Sequence, residues 1–210
     1  MAVKAIEKKM AKQALVGLAV VVVGVFGYMQ IFTKGIERLP EKVCSGAVDR
    51  DIAERVLPKT MTATQRGKKG VAYSSSRGTV FFCYVKTRGE ASILSGEVRV
   101  NDVSIAKWRE GHSAGGEKPR EVEANGIVAM TTSDGASVYV SCTRPDQEGQ
   151  KPLQSYALIA DARTVGDTRV SGVELQQHVT DFAYQILKNT YEVEECQEGR
   201  RFPAGLPHFE

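Results

Sequence analysis

The motifs that identify most enzymes and metalloproteins are missing from this sequence. None of its three histidines has a second histidine four residues away, so there is no HExxH zinc motif. No serine lies in a G-x-S-x-G nucleophile elbow, and the glycine-rich residues 111–116 lack the Gly-Lys-Ser/Thr ending of a phosphate-binding loop. We therefore predict no catalytic residue, no cofactor and no metal ligand.

The composition excludes several classes of protein. Of the 210 residues, 42% are hydrophobic and 25% are charged, with 20 glycines and 7 prolines. These proportions exclude a disordered chain, a collagen-like repeat and a membrane protein with many spans. The length allows one domain, or one domain with an anchor, and no internal repeat is visible.

One long stretch lacks charge altogether. Residues 14–32, ALVGLAVVVVGVFGYMQIF, contain Gln30 as their only strongly polar member. A helix of this length rises roughly 29 Å, close to the thickness of a bilayer's hydrocarbon core. The stretch exceeds the apolar core of a signal peptide, no small-x-small cleavage site follows it, and the residues before Cys44 are not a lipobox. These observations predict an uncleaved transmembrane helix over residues 14–32.

Charge predicts the orientation of this helix. The residues before it carry four lysines against one glutamate, whereas the residues beyond it are formally neutral. The positive-inside rule then makes residues 1–13 a cytoplasmic tail and places the rest of the chain outside the membrane. We predict a short charged stalk over residues 33–43, a domain over 44–196 and a loose tail over 197–210.

The patterns within the domain predict an α+β fold. Apolar residues at four-residue spacing predict a helix over residues 45–57, and an apolar stripe behind a Ser-x-x-Glu capping box at Ser171 predicts a helix ending near Tyr191. Five strands are predicted, at residues 79–85, 91–100, 126–131, 137–143 and 156–162. We expect two layers, with an antiparallel sheet of about five strands and two main helices on one face.

All four cysteines lie beyond the predicted transmembrane helix. None belongs to a CxxC motif, which excludes the common zinc and redox sites. An even number in an oxidising compartment predicts two disulfides, with three pairings open. We favour Cys44–Cys196, joining the ends of the domain, with Cys83–Cys142, joining two strands. The alternative is that Cys83 and Cys142 are free buried thiols.

Acidic residues are absent from residues 55–89, which carry eight basic side chains. Residues 174–199 show the opposite bias, with six acidic residues against one lysine. The basic stretch predicts a surface for anionic lipid headgroups or an anionic envelope polymer, unless the two segments face each other or both are simply solvated. The expected contact residues are Arg66, Lys68, Lys69 and Arg77.

The layout of the chain resembles a known group of proteins. The lysine-bearing N-terminus, the single predicted anchor and the segment CSGAVDRDIAERVLP, which begins at Cys44, resemble uncharacterised single-pass or lipid-anchored extracytoplasmic proteins of actinobacteria. The resemblance implies an envelope location and brings no catalytic motif.

The predicted function is that of a membrane-anchored, extracytoplasmic binding or accessory module of the cell envelope. Its expected partners are the membrane, through a single span, and an envelope protein or an anionic polymer or lipid, with no nucleic acid. The alternative is an extracytoplasmic hydrolase with an unrecognised active site. The sequence leaves the oligomeric state open.

Overall fold

A computed structural model describes most of the chain. The described residues are 15, 17–29, 32–70, 72–74, 77–113, 118–133 and 135–210. The predicted cytoplasmic tail, residues 1–13, lies outside them.

The first helix, α1, belongs to the predicted transmembrane segment. Its described residues, 15, 17–29 and 32, are all helical. No helix in the described part of the chain is long and apolar enough to cross a membrane. The prediction of a transmembrane helix over residues 14–32 is therefore wrong; its residues 14, 16, 30 and 31 lie outside the described part.

The remaining elements follow in an α+β order. They are β1 (Lys42–Val43), β2 (Val48–Asp49), α2 (Arg50–Val56), β3 (Ala63–Lys69), β4 (Ala72–Ser74), β5 (Arg77–Thr87), β6 (Ser92–Asp102), α3 (Ile105–Ser113), β7 (Arg120–Ala124), β8 (Ile127–Thr131), β9 (Gly135–Ser141), β10 (Tyr156–Gly166) and α4 (Gly172–Val193). The helix predicted over residues 45–57 is shorter than expected, because its first half forms the turn and strand before α2.

One antiparallel sheet organises the domain, in the strand order β3-β5-β6-β10-β9-β8-β7. Strand β4 pairs with β5 outside this order, and β1 and β2 form a separate pair. The five predicted strands are all present, but the prediction of about five strands is wrong because β3 and β7 add the two edges. Their sequences, ATQRGKK and REVEA, carry charged residues of the kind that edge strands use, and an apolar pattern does not detect them.

The main core lies between one face of the sheet and α4. The helix buries the predicted stripe, including Val179, Phe182 and Ile186. A Cβ built on Gly96 of β6 would lie 2.8 Å from Ile186 Cδ1 and 3.1 Å from Phe182 Cε1, so only glycine lets the helix approach this closely. The helix begins where predicted, but the Ser171 hydroxyl makes no capping hydrogen bond.

Helix α3 packs on the opposite face of the sheet, so the prediction of two layers with both helices on one face is incomplete. Trp108 of α3 is buried, with its ring centroid 5.4 Å from that of Tyr139 on β9. Arg109 Nη2 reaches Glu121 of β7 at 2.6 Å. Helix α3 therefore covers the β9-β8-β7 end of this second face.

The N-terminal disulfide joins Cys44 to Cys83, with 5.3 Å between the Cα atoms. Cys44 lies directly over Gly67 of β3, and the sheet register pairs Gly67 with Cys83. The prediction of a Cys44–Cys196 bridge is therefore wrong. The residues before Cys44 are also not a free stalk, because Ile36 and Val43 are buried in the core.

The second disulfide joins Cys142 to Cys196, with 5.0 Å between the Cα atoms. It ties the residues after α4 to the end of β9, where the Gln197 N–H also donates to the Thr143 carbonyl at 3.0 Å. The predicted Cys83–Cys142 pairing is wrong, because Cys83 lies on β5 and Cys142 follows β9, and β6 and β10 separate these two strands. All four cysteines are nevertheless disulfide-bonded, and two disulfides fit an oxidising, extracytoplasmic compartment.

Residues 197–210 pack against α4 and do not form the loose tail that the sequence predicts. Leu206 and Phe209 are buried. The Tyr184 hydroxyl donates to the Pro203 carbonyl at 2.6 Å, and the Phe209 N–H donates to Gln177 Oε1 at 3.1 Å. Because two prolines interrupt this segment, its apolar residues show neither helix nor strand periodicity in the sequence.

The contact between α4 and this segment predicts sensitivity to alkali. Burial raises the pKa of Tyr184 to about 12, above the unfolded value of about 10. The protonated Tyr184 hydroxyl thus contributes its full stabilisation of the folded state below pH 10. The free energy of unfolding falls as pH rises toward 12, at about 1.4 kcal/mol for each pH unit. Chemical unfolding across this range checks the slope. In Tyr184→Phe the slope should become shallower by that amount; an unchanged slope would contradict the assignment.

Candidate anion-binding face

The second face of the sheet is open at the end that α3 leaves uncovered. Side chains directly opposite each other on antiparallel strands form rows across the sheet. The first row runs from Arg66 on β3 through Tyr84 on β5 and Ser95 on β6 to Arg163 on β10, each paired in register with the next. We call the rows on this open end the anion-binding face.

A second row lies beside the first, two residues along each strand. It runs from Lys68 on β3 through Phe82, Glu97 and Asp161 to Ser137 on β9. Phe82 and Tyr84 are therefore neighbours on the same side of β5, with a basic residue of β3 opposite each ring. These rows bring together residues that are up to 97 positions apart in the sequence.

A groove of about 420 Å³ crosses the middle of the face. Its floor is low because Ser95, in the middle of the face, has a small side chain. Its lining includes Phe82, Tyr84, Ser95, Glu97, Asp161 and Arg163. Both rings are only partly buried, so a ligand in the groove would contact aromatic surface and cationic groups together.

The carboxylate of Asp161 accepts hydrogen bonds from two sides. Arg99 Nη2 donates a hydrogen bond to Asp161 Oδ2. Ser137 Oγ donates to Asp161 Oδ1 at 2.6 Å, and Trp108 Nε1 in turn donates to Ser137 Oγ at 3.3 Å. This chain of hydrogen bonds fixes Asp161 at the edge of the groove and connects the face to the α3 packing.

Glu97 also interacts with Arg99. Arg99 Nε lies 3.6 Å from Glu97 Oε1, and Thr79 Oγ1 donates to Glu97 Oε2 at 3.4 Å. Partial burial of Arg99 opposes its charge, but the hydrogen bond to Asp161 and the charges of Asp161 and Glu97 raise its pKa above the ordinary value. One guanidinium therefore contacts both carboxylates of the face.

Three cations of the face remain available. Arg66, Lys68 and Arg163 are exposed, and none forms an ion pair with another residue that the structure describes. Lys86, at the end of the face, is engaged: its ammonium lies 4.5 Å from the Tyr84 ring centroid and 2.8 Å from Glu90. The hydrogen bond to Glu90 raises the pKa of Lys86. The unpaired charge of the face is thus positive.

The four basic residues predicted from the sequence as contact residues do not all lie on this face. Arg66 and Lys68 lie together on the face. Lys69 points to the opposite side of β3, where its Nζ is 3.8 Å from Glu194, so one contact does join the basic and acidic segments. Arg77 is exposed at the start of β5. Its charge acts on Asp102, whose pKa is lowered, against burial, by the N–H donors of residues 153–155 and by Arg77.

The sequence interpretation missed Phe82, Tyr84, Arg99 and Arg163. The signal for the first two was present, because two aromatic residues at alternate positions of one strand point to the same side of a sheet. No pattern signalled Arg163 or Arg99, since their relation to Arg66 depends on the register of three strand pairs.

His112, Ser137 and Asp161 line one cavity of about 200 Å³, but their hydrogen bonds do not form the serine–histidine pair of a hydrolase. Ser137 donates its hydrogen bond to Asp161 and not to a histidine. His112 Nδ1 lies 2.9 Å from the Trp108 carbonyl. The side chain of His178 is only 12% exposed and lies between Glu174 and Asp181. In the described part of the chain, no group of three or more histidine, cysteine, aspartate or glutamate side chains could hold a metal ion.

Comparisons with family models, with curated proteins and with solved structures found no match for this chain. The resemblance to extracytoplasmic proteins of actinobacteria therefore stays a prediction, and the functional argument rests on the geometry of the face.

Proposed function

We propose that this protein is an extracytoplasmic binding module that holds an anionic polymer of the cell envelope on its anion-binding face. The proposal rests on one observation: the carboxylates of the face are paired, whereas most of its cations are not. Both carboxylates of the face interact with Arg99, while Arg66, Lys68 and Arg163 are exposed without an ion pair to a described residue. Such a surface attracts anions through its unpaired charge.

The distribution of the cations supports a polymer over a single small anion. Arg66 and Arg163 lie three strand spacings apart, roughly 14 Å between Cα atoms at the usual separation of about 4.8 Å. A small anion would contact only one of them. A chain of repeating anionic units could reach both, and the open groove between them would leave its ends free to continue beyond the protein.

Adjacent lysines of β3 provide a matched test. Lys68 lies on the face, whereas Lys69 lies on the other side of the sheet. Lys68→Ala should weaken binding of polygalacturonate about fivefold, because one exposed charge contact contributes about 1 kcal/mol. Lys69→Ala should leave binding unchanged although it removes the same charge. Isothermal titration calorimetry of the disulfide-bonded chain would measure both.

The same titration at increasing ionic strength tests the electrostatic origin, since salt screens contacts between exposed charges. Affinity should fall as salt is added. If Lys68→Ala and Lys69→Ala weaken binding equally, the affinity depends on the net charge of the protein and not on this face. If the unmodified chain does not bind polygalacturonate at low salt, the proposed function is wrong.

A further inference from the structure

We infer that the polymer held on the anion-binding face is an acidic polysaccharide, whose sugar rings stack on Phe82 and Tyr84; this inference rests on the proposed function. The two rings lie at alternate positions of β5, about 7 Å apart along the strand, and both line the groove. Aromatic rings present flat apolar surface, which suits the C–H face of a sugar ring. A polyanion without rings would gain nothing from them.

The basic residues are placed to hold the acidic groups of such a polymer. Across β3, Arg66 is the register partner of Tyr84 and Lys68 is the partner of Phe82. On the other side, Arg163 is the register partner of Ser95, which is itself the partner of Tyr84. Each ring therefore has a cation on the neighbouring strand, so a stacked sugar would place a carboxylate or phosphate substituent within reach of a positive charge.

The groove also offers acceptors, which a simple polyanion could not use. Glu97 is 45% exposed, and its two contacts, at 3.6 Å to Arg99 and 3.4 Å to Thr79, are long. Its oxygens therefore have capacity to accept further hydrogen bonds. A carboxylate beside an anionic ligand is unfavourable unless the ligand also carries donors. Sugar hydroxyl groups are such donors, and the Ser95 hydroxyl adds another polar group in the same groove.

The compartment favours a polysaccharide over a nucleic acid. Single-stranded nucleic acid also combines rings with phosphates and stacks on aromatic side chains. The two disulfides, however, fit an extracytoplasmic compartment, which disfavours nucleic acid as the ligand.

Four probes separate these ligands: polygalacturonate, neutral dextran, polyphosphate and oligo(dT). Each is titrated into the full disulfide-bonded chain at the same low salt concentration. We expect polygalacturonate to bind at least about tenfold more tightly than polyphosphate at equal charge concentration, and dextran to bind most weakly. Tyr84→Leu should weaken polygalacturonate binding roughly tenfold, the size of one stacking contact. Tyr84→Phe, which keeps the ring, should bind like the unmodified chain.

The outcomes distinguish this inference from the proposed function. Equal binding of polyphosphate and polygalacturonate, with no effect of Tyr84→Leu, would overturn the inference and leave an anionic-polymer module. Tightest binding of oligo(dT) would overturn it in favour of nucleic acid. Failure of every polyanion to bind would overturn both. If Tyr84→Phe lost affinity as Tyr84→Leu does, the hydroxyl and not the ring would be the contact, and stacking would be refuted.

Discussion

Replacing Cys142 and Cys196 together by serine is expected to lower the free energy of unfolding by about 4 kcal/mol. The bridge closes a loop of 54 residues, and the chain-entropy argument gives about this value for a loop of that length. The bridge also fastens the residues after α4, which carry the packed C-terminal segment. Urea unfolding of the double variant and of the unmodified chain measures the difference.

The same variant tests the disulfide pairing by a count of thiols. In the pairing observed here, it retains the Cys44–Cys83 bridge, so the denatured protein should contain no free thiol. Cys44→Ser with Cys196→Ser breaks both bridges and should expose two. The opposite pattern of thiol counts would support the pairing that joins Cys44 to Cys196. In the unfolding measurement, a stability change below about 1 kcal/mol would mean that the Cys142–Cys196 bridge constrains the unfolded chain little.

The spacing of hydrophobic residues in the sequence was sufficient to predict the elements that bury a continuous apolar surface. The stripe of α4 and the strand predicted at residues 79–85 are both present, the latter extended to Arg77–Thr87. The spacing of hydrophobic residues did not predict the elements that bury little apolar surface. Strand β3 has exposed residues at alternate positions and polar or small residues between them, so its place in the sheet follows from pairing with β5 and not from its own composition.

The transmembrane prediction rested on apolar composition alone. That composition correctly indicated a helix, since residues 17–29 are helical, but no helix in the described part of the chain is long and apolar enough to cross a membrane.

The candidate site depends on register, which single-sequence reasoning does not provide. Arg66 and Lys68 were predicted as contact residues because acidic residues are absent around them. The same argument selected Lys69, although a shift of one position along a strand moves a side chain to the other face. The disulfide pairing failed in the same way, since Cys44 meets Cys83 only through the alignment of Gly67 on β3 with β5.

Removal of Arg99 should weaken binding although its guanidinium already contacts two carboxylates. Arg99 contacts both Asp161 and Glu97, so Arg99→Gln removes one positive charge and leaves both carboxylates beside the groove. One charge contact contributes about 1 kcal/mol, so affinity for polygalacturonate should fall about fivefold. Titration calorimetry of the variant would measure it.

A second substitution separates this effect from damage to the fold. Asp161→Asn alone should tighten binding about fivefold, because it frees part of the Arg99 charge. In the double variant, Arg99→Gln with Asp161→Asn, one cation and one carboxylate are lost together, and affinity should return close to that of the unmodified chain. A merely unfolded variant would not recover affinity in this way. If the double variant bound as weakly as Arg99→Gln, Arg99 would act by contacting the polymer itself and not by neutralising Asp161.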